Sequence, residues 1–150
     1  MKKSTLLALF VVVSPLTSLA QQAAPFQYAV KFVCGASPGQ VVAPGVYYTA
    51  INVHNPGEKP VPFRKKFAIA LPSERAGRVT AYFEAKLGPD QALEIDCPDI
   101  FRHADTKRFL KGFAVIESEV ELDIVAVYTT TGVSERAGTF FMERVPPRRR

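Results

Sequence analysis

Apolar and polar residues alternate along most of this chain, the pattern that half-buried β-strands produce. Between Phe26 and Cys34 every second residue is apolar, so these side chains share one face and Cys34 points into the core. Similar runs predict further strands, over 46–54, 63–71, 79–84, 93–97, 109–115, 120–128 and 139–145. Residues 98–107 break the pattern, which predicts a helical turn or loop over the end of the core.

About eight short strands, with turns roughly every 8–12 residues, are typical of an all-β, two-sheet antiparallel sandwich, immunoglobulin-like or jelly-roll-like. A β-barrel is the alternative. The runs at 109–115 and 120–128 predict a hairpin that turns at 117–119. Phe109, Lys111, Phe113 and Val115 alternate along the first run and so share its predicted apolar face. Prolines at the start of 63–71 predict that this strand begins at a sheet edge. There the charges of 64–66 either guard the edge against aggregation or contact an anionic partner.

The N-terminus has the three parts of a secretory signal peptide. Lysines at 2–3 precede an apolar run at 6–13, and small residues at 18–20 supply a cleavage site. The apolar run is too short for a membrane span, which needs roughly 20 residues. We therefore predict a signal peptide over 1–20, cleaved near Ala20, and a mature chain that is secreted or periplasmic with no membrane span.

The remaining chain is predicted to be a single sandwich domain over 21–145 with a basic tail at 146–150. The net charge is +5, but two of these charges leave with the signal peptide and three lie in the tail. The domain itself is close to neutral, so the sequence does not predict nucleic-acid binding. We expect the tail to be solvated, with contact to anionic lipid or polysaccharide as the alternative.

The only two cysteines, Cys34 and Cys97, both fall in the mature chain. Each lies on the inward face of a predicted strand, and an exported compartment favours oxidation. We predict a disulfide between them that bridges two sheets. Two separate buried thiols or one redox-active cysteine are the alternatives, and a CxxC motif is absent from the sequence.

The catalytic motifs in the sequence do not satisfy their chemistry. The segment 35–39 matches G-x-S-x-G, but Pro38 follows the serine and has no N–H for an oxyanion hole. With two histidines, His54 and His103, a three-histidine zinc site is impossible and a copper site is improbable. We therefore expect no metal and no cofactor.

Three residues are candidates for a ligand site: His54, His103 and Asp99. Both histidines lie in or beside loops, where functional residues concentrate. Asp99 belongs to an acidic stretch around Cys97, whose other members are Asp90, Glu94, Asp96 and Asp105. Calcium binding there stays open, although alternation places Glu94 and Asp96 on the solvent side.

Four strings of residues carry a resemblance: Tyr28–Gly35, Ile51–Pro56, Glu94–Ile100 and Gly112–Ser118. With them the chain resembles a group of secreted bacterial all-β proteins for which no activity is known. The resemblance implies a free-standing exported module.

We predict a secreted, non-enzymatic β-sandwich with a binding or structural role in the cell envelope, its partner an envelope protein or a polysaccharide. A small hydrolase or metal-dependent enzyme using His54 or His103 is one alternative. An envelope assembly subunit that pairs by strand addition is the other.

Overall fold

Ten β-strands and one short helix make up the part of the chain that the structure, a computed structural model, describes: residues 24–106, 108–132 and 138–149. The elements are β1 (Phe26–Ser37), β2 (Gly45–His54), β3 (Val61–Ala70), β4 (Ala76–Val79), β5 (Phe83–Leu87), β6 (Ala92–Asp96), α1 (Cys97–Ala104), β7 (Leu110–Ser118), β8 (Asp123–Thr131), β9 (Thr139–Arg144) and β10 (Arg148–Arg149). The predicted signal peptide lies outside the described residues.

The strands form one antiparallel path in the order β4-β3-β7-β1-β2-β8-β9, with β5 beside β3, β6 beside β2 and β10 beside β1. The path folds into two layers. The first layer contains β3, β4, β5, β7, β10 and most of β1, and the second contains β2, β6, β8, β9 and the end of β1. Within the described residues β4 and β9 do not pair with each other, so the sheet stays open. The predicted all-β antiparallel sandwich is confirmed.

Strand β1 passes from one layer to the other at Gly35. Phe26–Cys34 pairs with β7, whereas Gly35–Ser37 pairs with β2. Gly35 has φ of +97°, a conformation that glycine adopts without strain. Where the two layers separate, the Thr49 hydroxyl donates to the Val33 carbonyl and accepts from the Val33 N–H, both at 3.0 Å. The hydroxyl thus takes the place of a strand partner for the Val33 backbone groups that face β2.

The core lies between the two layers. Alternation along β1 buries Tyr28, Val30 and Phe32 completely, as the sequence predicted. The Tyr28 hydroxyl donates to the Leu122 carbonyl at 2.8 Å and accepts from the Leu122 N–H at 2.7 Å, which fixes the approach to β8.

The predicted disulfide joins Cys34 in β1 to Cys97, the first residue of α1, across a sequence separation of 63. Both sulfurs are buried, and the Thr49 N–H lies 3.1 Å from the Cys97 sulfur. Helix α1 then covers the end of the core with Ile100 and Ala104, as predicted.

The predicted β7–β8 hairpin is wrong. Strand β7 pairs with β1 and β3 in the first layer, whereas β8 pairs with β2 and β9 in the second. The inward face of β7 was also misassigned. Gly112, Ala114 and Ile116 point inward, and Phe113 points outward with 41% exposure. A Cβ at position 112 would lie 2.2 Å from the Ala68 carbonyl oxygen and 2.7 Å from the ring of Phe32, so only glycine fits there.

Strand β3 starts with one side unpaired among the described residues, since Val61 and Pro62 pair with β5 and the ladder with β7 begins at Phe63. Its charged segment does not guard an edge, because Arg64 and Lys65 pair with β5 on one side and β7 on the other. The tail is not frayed at Arg148–Arg149, because these residues pair with Gln27 and Phe26 of β1.

Candidate functional site

His54 lies at the end of β2 between two carboxylates. Its Nε2 is 3.0 Å from Asp90 Oδ1, and its Nδ1 is 3.6 Å from Asp123 Oδ2. Arg144 of β9 pairs with Asp123 from the other side. Both ring nitrogens thus face carboxylates, and the arrangement ties together the ends of three strands and a turn.

His103 is packed as an aromatic ring. Its ring centre lies 3.9 Å from that of Phe83 and 5.7 Å from that of Phe67. Burial lowers the pKa of His103, and the charges of Arg102 and Lys65 lower it further. The imidazole is therefore neutral at neutral pH and serves to cover the core beside β3 and β5.

Asp99 caps helix α1. Its backbone N–H donates to Asp96 Oδ1 at 3.0 Å, and its carboxylate accepts from the Asp96 N–H at 3.4 Å, which completes a capping box. Arg102 pairs with the same carboxylate. The hydrogen bonds and the ion pair of Asp99 thus lie within the helix and its cap, and its charge also acts on Lys65 of β3 and on His103.

The structure places Asp99 and His103 on the same helix, where the carboxylate charge acts on the imidazole, but it does not join His54 to them. Among the described residues no hydrogen bond or ring contact connects the three, and neither imidazole hydrogen-bonds to a serine, threonine or cysteine side chain. In the same residues there is no group of three or more His, Cys, Asp or Glu side chains that could hold a metal ion. Nor does the described part of the chain contain a helix of the length and apolarity that a membrane crossing requires.

A different set of residues forms a continuous surface, the outward side of the first layer. We call it the basic face. The registers of β1, β7 and β3 place its side chains in three rows, Gln27–Glu117–Arg64, Ala29–Val115–Lys66 and Lys31–Phe113–Ala68. Lys111 follows beside Val33, and β10 adds Arg148 beside Gln27. Because opposed residues in antiparallel strands point to the same side, these residues lie on one surface.

The first row is anchored by Glu117, which is only 1% exposed. Arg64 donates to Glu117 Oε2 from Nε at 2.9 Å and from Nη2 at 2.8 Å, and Gln27 donates to Oε1 at 2.8 Å. Burial raises the pKa of Glu117, but hydrogen bonds from Tyr82, Arg64 and Gln27 outweigh it, so the net shift is downward. Glu117 is therefore a buried, ionised anchor for Arg64.

A cleft of about 280 Å³ beside this row also contains Glu84 and Glu119. Three carboxylates in one cleft are candidates for acid–base catalysis, because side-chain carboxyl groups can transfer protons in such reactions. Glu117 is held ionised by Arg64, however, which leaves it unsuited to donate a proton. The cleft supports no catalytic assignment.

The second and third rows form a trough of about 450 Å³ with a small, apolar floor and basic walls. Ala29, Ala68 and Val115 lie at the floor, and Lys66 and Arg148 line the sides. At one end Phe113 carries the ammonium of Lys31 over its ring, 4.8 Å from the ring centre.

The cations of this face outnumber its carboxylates. The cations are Lys31, Arg64, Lys66, Lys111 and Arg148. The carboxylates are Glu117, within the face, and Glu84 of β5, which lies opposite Arg64. Burial, followed by the charge of Lys111, lowers the pKa of Lys31. Lysines crowded in this way gain from an anionic ligand, which relieves their mutual repulsion.

The comparisons with known proteins define the fold and nothing beyond it. The chain is similar in structure to Thermotoga maritima 1070. That protein, known from a crystal structure, is 12% identical, with a TM-score of 0.54 over 84% of this chain and 95% of that one. A scan against models of protein families found no match, and neither did a search of curated proteins.

Sequence reasoning offered the charges at 64–66 and the basic tail as alternative contacts for anionic partners. It did not join them into one face, because the residues of this face are far apart in the chain. The signal that could have found part of it is the outward alternation of Gln27, Ala29 and Lys31 along β1. Lys111 was hidden by the wrong assignment of the β7 faces, and Arg148 by the prediction of a solvated tail.

Proposed function

We propose that this protein is a secreted or periplasmic, non-enzymatic β-sandwich that binds an anionic polysaccharide of the cell envelope at its basic face. The observation that carries the proposal is the trough, in which cationic side chains flank an apolar floor. The signal-peptide pattern and the Cys34–Cys97 disulfide support export, because disulfides persist in oxidising compartments. The resemblance to secreted bacterial proteins points to the same compartment.

The shape of the face favours a polysaccharide over a membrane surface. Membrane-binding surfaces insert protruding aromatic or aliphatic side chains. Here the exposed aromatic residue, Phe113, has the Lys31 ammonium over its ring, and the other apolar residues between Lys66 and Arg148 are the short side chains Ala29, Ala68 and Val115. Sugar rings present apolar faces and, in uronic acids, a carboxylate at their edge. Such a chain can rest on Ala29 and Val115 while its carboxylates meet the cations.

The proposal predicts that the mature protein binds polygalacturonate and that the binding weakens as salt is added. In the triple variant Lys31→Gln/Lys66→Gln/Lys111→Gln, three lost charge contacts of roughly 0.5–1 kcal/mol each predict a loss of at least about tenfold in affinity. Isothermal titration calorimetry measures the affinity of each protein for polygalacturonate, with neutral dextran as the comparison ligand.

The matched control is Lys59→Gln/Arg75→Gln/Arg108→Gln, which removes the same charge from exposed positions outside the basic face. This control is expected to bind like the wild type. Equal weakening of the two variants would show a general charge effect and contradict the assigned face. Binding of dextran as tight as that of polygalacturonate, or a preference for anionic vesicles or DNA, would contradict the proposal that the ligand is an anionic polysaccharide.

A further inference from the structure

The second layer ends in an exposed strand whose central residues are all apolar. Strand β9 pairs with β8 on one side and with no described residue on the other. Phe140, Phe141 and Met142 are 64%, 56% and 60% exposed. Large apolar side chains in succession on an edge are an interaction site or an aggregation hazard.

The opposite end of the sheet shows how this fold protects an edge. Strand β4 spans four residues, carries Arg78 and shifts register against β3 between Ala68 and Ala70. Short length, charge and irregularity are the usual devices against edge-to-edge pairing. From Thr139 to Met142, β9 has no charge and no proline, and its ladder with β8 is regular. One edge is thus protected and the other is not.

The charged residues of β9 are both paired within the protein, although the Arg144 side chain is largely exposed. Glu143 accepts a hydrogen bond from the Tyr128 hydroxyl at 2.7 Å, and Arg144 pairs with Asp123. They therefore do not repel an incoming strand as free edge charges would.

We propose that β9 pairs antiparallel with β9 of a second copy of this chain, around a two-fold axis at Phe141. In this register Phe140 of each copy lies opposite Met142 of the other, and Phe141 lies opposite its own counterpart. Thr139 meets Glu143, so no like charges are opposed. Moving the axis to lie between Phe141 and Met142 would set Phe140 against Glu143, which is a poorer match.

The size of the interface sets the expected strength of the dimer. Three side chains of about 200 Å² each, roughly 60% exposed, contribute about 350 Å² per copy. A standard stable interface buries about 800 Å² per partner. The backbone hydrogen bonds of the strand add to the contact, and we expect a reversible dimer with a dissociation constant of about micromolar or weaker.

The proposed dimer has a consequence that rests on the proposed function. The two-fold axis that relates two antiparallel β9 strands is perpendicular to the joined sheet. Rotation about it keeps the first layers of both copies on the same side of that sheet. The two basic faces then point the same way and can engage one polymer together, with a gain in avidity.

Sedimentation of the mature protein without any polysaccharide tests the dimer separately from the proposed function. We expect a reversible monomer–dimer equilibrium over concentrations from about 1 to 200 µM. Phe141→Lys places two lysines opposite each other at the axis and is expected to give monomers over the whole range, with circular dichroism confirming the fold. Met142→Lys is a second variant with the same expected result, and it leaves the contact between Phe141 and Tyr128 in place.

A charge-pairing experiment tests the register. Phe141→Lys and Phe141→Glu should each be monomeric alone and dimerise when mixed, because opposite charges then meet at the axis. Val79→Lys is the matched control, since Val79 is 57% exposed on the protected edge β4, and it should dimerise like the wild type. A wild type that is monomeric throughout, a dimer that persists in Phe141→Lys, a control that loses the dimer, or a mixture that stays monomeric would each overturn the proposal.

Discussion

The double variant Cys34→Ser/Cys97→Ser is expected to unfold with a free energy about 3–4 kcal/mol below that of the oxidised protein. The cross-link closes a long loop, with a sequence separation of 63, and the chain-entropy model assigns about 4 kcal/mol to such a closure. Serine at position 97 keeps an acceptor for the Thr49 N–H, so the loss reports the cross-link itself. The loss in unfolding free energy is measured by urea denaturation, with far-UV circular dichroism as the signal.

Reduction provides an internal control for this result. Wild-type protein unfolded in the presence of a thiol reductant should show nearly the same loss, whereas the double variant should be indifferent to the reductant. If reductant leaves the wild-type midpoint unchanged, the disulfide does not contribute the stability assigned to it.

The variant Arg64→Met is expected to lose about 3 kcal/mol at neutral pH. Removing one member of a buried ion pair leaves the other charge uncompensated, which typically costs about 3–5 kcal/mol. Glu117 retains Gln27 and Tyr82, and Arg64 is partly solvent-accessible, which places the expected loss at the lower end. The matched double variant Arg64→Met/Glu117→Leu removes both charges and should recover most of the loss.

The loss in Arg64→Met is expected to depend on pH with a definite sign. In the wild type the pKa of Glu117 lies below its ordinary value, so its stabilisation is present at neutral pH and disappears as the pH falls through the folded-state pKa. Without Arg64 its hydrogen bond and its charge no longer lower the pKa of Glu117, so that pKa rises relative to the wild type. The difference in unfolding free energy between wild type and variant should thus be largest near pH 7 and shrink towards about pH 4. A difference that stays constant over this range would contradict the ionised, buried carboxylate.

Much of the sandwich could be predicted because a half-buried strand imposes a period of two on its residues. Along β1 the pattern placed Tyr28, Val30 and Phe32 in the core and aimed Cys34 at its partner. The helical turn after Cys97 was also predicted, because residues 98–107 lack that period. These features depend only on neighbours in the chain.

The pattern failed where both faces of a strand carry apolar residues. In β7 the larger side chains suggested that Phe113 points inward, but the inward position beside it is Gly112, where the Phe32 ring and the Ala68 carbonyl leave no room for a side chain. In β9 the apolar run at 140–142 predicted a strand but not its position, and the order of strands put it at an exposed edge.

The sequence by itself determined the class of the fold, the inward direction of both cysteines and the covering turn, because local periodicity encodes burial. Only the tertiary structure decided where the charge lies. The domain over 21–145 is neutral in sum but separates its charges, and the tail adds Arg148 to them. The registers of β1, β7, β3 and β10 bring Lys31, Lys66 and Arg148 together from distant parts of the chain. Strand order and register arise from long-range packing, which no local pattern contains, and they create both the basic face and the open edge at β9.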